Sequence, residues 1–280
     1  MNEIKLQEYL KTTVYPGRGI IIGNSADGEN IVAAYFIMGR SENSKNRVFE
    51  KTWDGIRTKA FDESKLKDPS LVIYSPIRRY QNHIIITNGD QTDTIYNYLS
   101  NGEGFADALY TRTFEPDPPI FTPRISGFFA VFGGLFNYTL SILKSDGGNE
   151  NHSLRCFYGY ETPEPGKGHF IHTYKHNADV PPSFEGEPKK IEIPDSIEEF
   201  SETIWNSLND DFKVSLYVAY FGKHTREIKE EKIINKNIKY ILGTTTPPTM
   251  SAPLRRGELN KTPEITENSP PGRGGTKRSE

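Results

Sequence analysis

One cysteine, Cys156, stands among 280 residues, so no internal disulfide can form and a reducing compartment fits best. Its surroundings, residues 154–158, are mostly apolar, and the preference of cysteine for interiors makes a buried structural thiol the expectation. No apolar stretch approaches the roughly 20 residues a membrane helix needs. The opening residues, Met1-Asn2-Glu3-Ile4-Lys5, carry no signal-peptide pattern. A cytoplasmic chain without a membrane partner is therefore expected. An excess of charge of either sign is also missing. The 34 Lys and Arg nearly match the 37 Asp and Glu, for a net charge of -3, so no global field would hold nucleic acid. A P-loop and a G-x-S-x-G elbow are both lacking.

Apolar material is sufficient for a large core. Hydrophobic residues make up 35% and aromatics 12%, with 16 Phe and 15 Tyr. One large domain or two small ones would fit this length. The patterning predicts a helix capped by Asn2 and running to about Lys11, a strand over 19–23, a turn at Asp27-Gly28 and a return strand over 31–38. A polar loop over 39–47 follows. Strands are expected over 71–74, 83–87, 125–132, 137–144, 154–160, 169–174 and 214–221. Helices are expected over 92–100, 103–111 and 196–208, the last with Glu199 placed for a capping box. A charged helix over 225–240 would close the fold. Residues 244–280 contain no aromatic and are rich in Pro, Gly, Thr and charge. Such a segment cannot bury enough apolar area to offset its ordering entropy. The expectation is one α+β domain over 1–243 with largely antiparallel sheets, and a disordered tail over 244–280.

Several clusters could carry chemistry. Gly17-Arg18-Gly19-Ile20-Ile21-Ile22-Gly23 is glycine-rich, but a dinucleotide loop needs a strand before it and a helix after it, and here the run is itself the strand. Arg40, Lys45 and Arg47 crowd together with Ser41, Asn43, Ser44 and Asn46, as an anion cradle or as a solvated hairpin tip. Tyr74, Arg78 and Arg79 form either a site or a cross-strand surface cluster. Thr87-Asn88-Gly89-Asp90-Gln91-Thr92-Asp93 leads a strand into a helix and could hold a polar ligand or simply cap the turn. Glu115, held by the prolines from Pro116 to Pro123, is either a general acid or base or an ordinary loop residue. His169, His172 and His176 invite a metal. On a strand, however, His169 and His172 point to opposite faces, and no Cys pair or clear carboxylate joins them. No metal is expected.

Taken together, these segments resemble the archaeal-type IMP cyclohydrolase family and its bacterial relatives. The match begins at Tyr15-Pro16-Gly17-Arg18. It continues through Ala34-Tyr35-Phe36-Ile37-Met38-Gly39-Arg40-Ser41 and Asn46-Arg47, and reappears at 87–93, at Thr122-Pro123-Arg124-Ile125 and at 170–174. It spans 15–187, and more weakly to about 240. This chain departs from the archaeal pattern in three ways. Asp90-Gln91 stands where archaeal members tend to have Ser-His, prolines partly replace an acidic stretch at Glu115, and the chain is longer.

The resemblance implies a four-layer αββα sandwich like that of N-terminal-nucleophile hydrolases, without an N-terminal nucleophile. Met1 and its neighbours offer no such Ser, Thr or Cys. It also implies a purine ribonucleotide substrate, ring closure to inosine monophosphate with loss of water, and no cofactor. On this reading Arg40 and Arg47, with Asn46, hold the 5′-phosphate. Tyr74 and Arg78 orient the base or stabilise an oxyanion, and Asn88 and Asp93 bind ribose or carboxamide. Glu115 carries the proton, Arg124 positions it, and Arg18 lines the same pocket. A homo-oligomer is compatible with this reading. An amide or formyl hydrolase on the same fold and a non-catalytic purine-nucleotide module are the alternatives.

Overall fold

The β-branched run of the first strand and the longer run of the second are apolar at every position, not at alternate ones. That pattern belongs to a sheet covered on both faces. In the computed structural model, residues 3–237 are described, apart from 68, 70, 71, 133 and 226. The strands β1 (Arg18–Asn24) and β2 (Asn30–Met38) sit at the centre of a six-stranded sheet. Their partners are β10 (Lys167–His172), β11 (Lys189–Glu192), β12 (Lys213–Gly222) and β13 (Ile228–Asn235), in the order β11-β10-β1-β2-β12-β13. The second sheet follows chain order. It comprises β3 (Arg47–Lys51), β4 (Gly55–Ala60), β5 (Ile77–Tyr80), β6 (His83–Thr87), β7 (Arg124–Phe132), β8 (Leu135–Asp146) and β9 (Asn149–Tyr160). Neighbours in both sheets pair antiparallel.

The period of two sorts side chains between faces. Ile31, Ala33, Tyr35 and Ile37 of β2 enter a core shared with Ile84, Ile86, Ile125 and Phe129 of the second sheet. Val32, Ala34, Phe36 and Met38 face the other way, against α1 (Leu6–Thr13) and α5 (Ile197–Ser207). A third cluster joins Ile85 and Leu143 to α3 (Gln91–Ser100) and α4 (Phe105–Tyr110). The chain is thus α+β, with two sheets packed on one another and helices on the outer face of each. No helix among the described residues is long and apolar enough to cross a membrane.

Where the structure departs from expectation, pairing or packing overrides local pattern. Of the charged helix expected over 225–240, residues 228–235 are instead β13, and 226 and 238–240 lie outside the described residues. Its Lys229-Glu230-Glu231-Lys232 run favours helix, but β12 offers a full ladder edge, and Ile233 and Ile234 then fall on opposite buried faces. The strand expected over 71–74 does not form over 72–74, and Leu71 lies outside the described residues. There Thr58 holds Tyr74 by its backbone N–H and its hydroxyl. The short strands β3, β4, β5 and β11 carry too few apolar residues to stand out by pattern. The polar loop over 39–47 contains a one-turn helix, α2 (Glu42–Lys45), capped by Ser41. Helix α1 starts at Leu6 after Lys5, and Asn2 lies outside the described residues, as do the expected boundary at 243 and the tail beyond it. Ser196 caps α5 by accepting from the Glu199 N–H. Cys156 is only half-buried, because β9 is the edge of its sheet.

Phe129 sits at the centre of the inter-sheet core, edge-on to both Phe136 and Phe221. Phe129→Ala is expected to lower unfolding free energy by about 3–5 kcal/mol, read from urea denaturation. A loss below about 1 kcal/mol would mean that the two sheets do not meet there.

Candidate functional site

The end of the sandwich where β1 begins carries the charge. Chain entry is tightly constrained. The Tyr15 N–H donates to the Thr13 carbonyl at 2.6 Å, which closes a three-residue turn with Val14 at φ 56°. A β-branched residue in that region is strained, and such strain persists only where surrounding structure enforces it. Gly17 follows at φ +80°, and a Cβ there would lie 2.2 Å from the Thr173 hydroxyl. That hydroxyl accepts from the Arg18 N–H and donates to the Pro16 carbonyl. The Tyr15 ring stacks on Tyr174 with centroids 5.7 Å apart, and the Arg40 guanidinium lies 5.3 Å from the Tyr15 centroid.

These contacts shape a cavity of about 280 Å³, whose walls include Tyr15, Arg18, Arg40, Glu115, Thr122 and Tyr174. Ser41, Asn43 and Ser44 complete it beside Arg40. Arg40 is anchored from outside by the carbonyls of Ala178 and Asp179. Tyr174 shares a hydroxyl contact of 2.8 Å with Thr122, and burial pushes its phenol up to about 12.

Arg47 lies behind this wall, 0% exposed. Its Nε donates to the Ser44 carbonyl at 2.8 Å, yet both terminal nitrogens are without a hydrogen-bond partner among the described residues. Arg18 is also buried, and its Nε is likewise unpartnered. Burial pulls the Arg47 pKa down, the neighbouring Arg18 charge pulls the same way, and the Tyr74 and Tyr35 phenols oppose both. Burial would pull Arg18 down as well, but Glu115, Tyr174, Tyr74 and Tyr15 outweigh it and hold Arg18 well above its ordinary value. The Tyr35 and Tyr74 hydroxyls lie 2.8 Å apart beside the two guanidinium groups. Unpartnered buried cations are costly, and an anion in the cavity would offset that cost.

Glu115 is the opposing acid. Its N–H donates to the Thr122 carbonyl at 2.9 Å, and Asp117 holds the Thr122 N–H at 2.7 Å, which closes the proline-rich loop. Burial raises the Glu115 carboxyl to about 7; Arg18 and Arg124 pull it down, Asp117 pushes it up and Arg47 pulls it down. A carboxyl that titrates near neutrality can both take and return a proton.

Of the residues singled out from sequence, Arg18, Arg40 and Glu115 line the cavity, and Tyr74, Arg47 and Arg124 stand against that group. Others do not reach it. Arg78 points to the outer face of its sheet, where it binds Asp54 at 2.8 Å and Asp93 at 2.9 Å and stacks 3.6 Å from the Tyr96 centroid. Arg78 and Asp93 thus partner each other, because alternation on β5 turns Arg78 away from the inter-sheet side occupied by Ile77. Asn46 is spent on the backbone of Asp62, through 2.7 and 2.8 Å bonds. Asn88 is spent on Pro123, Ile125 and Gln91. Both are framework residues that fix the loops carrying Arg47 and Arg124.

Sequence reasoning assigned no role to Tyr15, Tyr174, Thr122 or Asp117. Their signal was adjacency to Arg18, Glu115 and Arg124 within the same short segments. His172 is a buried strut. It takes a 2.8 Å bond from the Tyr9 hydroxyl, donates to the Tyr174 carbonyl at 2.9 Å, and burial lowers its pKa to about 3. His169, on the opposite face, meets the Tyr138 hydroxyl and stacks on Tyr160.

The segments that build this cavity fall inside one family match. The model of the IMP cyclohydrolase-like protein family covers residues 15–225. The chain belongs to the IMP cyclohydrolase-like family. Among its relatives is the IMP cyclohydrolase of Methanosphaera stadtmanae, 29% identical over 169 residues, which are 59% of this chain and 75% of that protein. Another is the IMP cyclohydrolase of Methanothrix thermoacetophila, 29% identical over 118 residues, which are 41% of this chain and 57% of that protein. Cavity and family match coincide: Tyr15 opens the match, and the walls from Arg18 to Tyr174 lie within it.

The proton balance of Glu115 has a measurable consequence for stability. Its folded pKa, about 7, lies above the ordinary glutamate value of 4.5, so the folded chain binds the proton more tightly than the unfolded chain. The stability this contributes is complete below about pH 4.5 and is lost as pH rises through about 7. Glu115→Gln keeps the shape of the protonated form. Urea unfolding of the wild type should therefore lose ground to this variant between pH 5 and 8, by up to about 3 kcal/mol. Parallel stability curves for the two proteins would show that Glu115 ionises as an exposed glutamate does.

Proposed function

We propose that this chain closes the second ring of a purine ribonucleotide, converting the formamido-imidazole-carboxamide ribonucleotide to inosine monophosphate with loss of water. The observation that carries this reading is a carboxyl poised near neutrality that lines a cavity of about 280 Å³ together with the buried Arg18, with Arg47 behind the wall and nitrogens of both guanidinium groups unpartnered among the described residues. Family membership and the names of the two relatives support it. The paired sheets with helices outside them support the four-layer αββα architecture of N-terminal-nucleophile hydrolases for the same domain.

Depth in the cavity sorts the roles. Arg40, at the mouth with the Ser41 and Ser44 hydroxyls, takes the 5′-phosphate. The deeper Arg18 lines the cavity and faces the reacting groups, with Arg47 and the Tyr74 phenol behind it. Carboxamide and formamide sit on adjacent ring carbons, so the protein chiefly fixes the reactive rotamer. The carboxamide nitrogen attacks the formyl carbon and gives one proton to the Glu115 carboxylate. The formyl oxygen becomes an oxyanion, stabilised by the buried guanidinium groups. Glu115 then returns its proton to that oxygen. The resulting hydroxyl leaves as water with the hydrogen of the former formamide nitrogen, and the new C=N bond restores aromaticity. Proton count and electrons balance without a redox partner.

Ring closure changes ultraviolet absorbance, so purified protein with the formamido precursor tests the reading directly. Absorbance growth without formate is the expected result. Formate release without purine formation would assign a formyl hydrolase instead, and tight binding of inosine monophosphate without turnover would assign a binding module. Glu115→Gln should bind the nucleotide nearly as wild type while turnover falls by roughly 10²-fold or more. The wild-type kcat/KM should rise with pH and level off above about 7, because attack needs the carboxylate. Full turnover by the variant would remove Glu115 from the reaction.

A further inference from the structure

Among the described residues, Arg124 is the guanidinium beside Glu115 whose charge is shared with a carboxylate, although its Nε has no partner there. Its Nη1 donates to Asp90 at 2.7 Å and to the Gln91 side-chain oxygen at 2.8 Å. Asp90 also holds Arg112, at the end of the segment that leads into Glu115. The three groups converge on Gly89. A Cβ there would lie 2.7 Å from the Arg124 Nη1, 2.7 Å from the Gln91 oxygen and 3.4 Å from the Glu115 Oε1. The Arg124 guanidinium and the Glu115 carboxyl therefore both border the space beside Gly89, yet the Nη1 bonds run to Asp90 and Gln91. Asp90 makes no cap hydrogen bond to α3, so capping does not account for it.

We propose that Asp90 is a positioning residue that ties the Arg124 guanidinium back from Glu115, preventing a full ion pair and leaving the carboxyl free to exchange a proton. The proposal rests on the reading of Glu115 as the proton carrier. Four other groups face that carboxyl: Arg18 from β1, Arg47 from β3, Asp117 from the same loop and the Tyr174 phenol. None of them has a hydrogen bond to Asp90 among the described residues. All three arginines are buried, but only for Arg124 do the described residues show carboxylate and amide acceptors, Asp90 and Gln91, that draw the guanidinium to one side. Asp90 and Gln91, adjacent in sequence, supply two acceptors for one guanidinium.

The test titrates Glu115 in the full chain without substrate, by carbon NMR of labelled glutamate carboxyls, with the signal assigned by its loss in Glu115→Gln. Asp90→Asn should lower the Glu115 midpoint by about one pH unit. Two effects act in the same direction, since a nearby negative charge is removed and Arg124 is released toward Glu115. The decisive comparison repeats Asp90→Asn in an Arg124→Met background. If Asp90 acts through Arg124, most of the shift disappears there. An equal shift in both backgrounds, or none in either, overturns the proposal. Should either variant fail to fold, Arg112→Gln gives the same information. Asp90 then turns wholly to Arg124 and the Glu115 midpoint should rise, whereas a fall or no change overturns the proposal. Because this readout needs no turnover, a chain that titrates as expected but forms no purine would refute the cyclisation and leave the positioning role intact. If cyclisation holds, the acidic limb of the Asp90→Asn kcat/KM profile moves down with the NMR midpoint, and a limb that stays put overturns the proposal.

Discussion

The site depends on one electrostatic constraint: two guanidinium groups and a carboxyl share a wall from which water is largely excluded. Arg47 is held by a single bond from its Nε to the Ser44 carbonyl, and its terminal nitrogens face the interior without partners among the described residues. Removing a cation from water in this way costs several kcal/mol unless an anion answers it. Glu115 answers only in part, because burial holds its proton on near neutrality and Asp117 adds to that effect. The described wall is therefore short of negative charge, and an anionic group in the cavity would offset that shortage.

Holding charges in an uncomfortable place requires a scaffold that does not relax. The doubly covered sheet supplies it. β1 and β2 are apolar on both faces, and Arg18 is the first residue of β1, immediately beyond the positive-φ Gly17. The same strand register that buries Ile20 and Ile22 between the sheets fixes where Arg18 emerges. Arg47 opens β3, and Arg124 opens β7. Three arginines thus stand at the first residues of three strands, each tied to a packed sheet, while the loops between elements bring Arg40 and Glu115 to them. Thr122 and Tyr174 link the two sides through their hydroxyls, and His172 braces Tyr174 from behind.

Legibility in the sequence followed local signal. The long apolar strands, the Asp27-Gly28 hairpin and the helix capped by Ser196 are written in neighbouring residues and were readable. β13 was not, because its Lys229-Glu230-Glu231-Lys232 run favours helix on its own, and only the waiting edge of β12 makes it a strand. Within the site, Arg18, Arg40, Arg47, Tyr74, Glu115 and Arg124 could be named from residue type and family resemblance, but their depth could not. Nothing in the polar run 40–47 indicates that Arg47 is fully buried while Arg40 lies over a tyrosine ring. Arg78 and Asp93 looked equally suitable by type. The side of the pleat to which Arg78 points, a matter of register, sends both to the outer face. Asn46 and Asn88 share the chemistry of ligand binders and spend it on framework hydrogen bonds instead.

The identity of the cations follows from the same constraint. A lysine ammonium buried as deeply as Arg47, beside the Arg18 charge, would lose its proton and with it any value as an anion partner. A guanidinium tolerates that environment, because its pKa starts so high that burial lowers it without neutralising it. Its planar fork also offers several donors at fixed angles, so one residue can touch a phenol, a carbonyl and a substrate oxygen at once. The carboxyl opposite needs the reverse property, since in the proposed reaction it changes state. Permanent charge on one side and adjustable charge on the other divides the work. The arginines set a constant field, and the depth of Glu115, together with how closely Arg124 approaches it, sets the pH at which that field can be used.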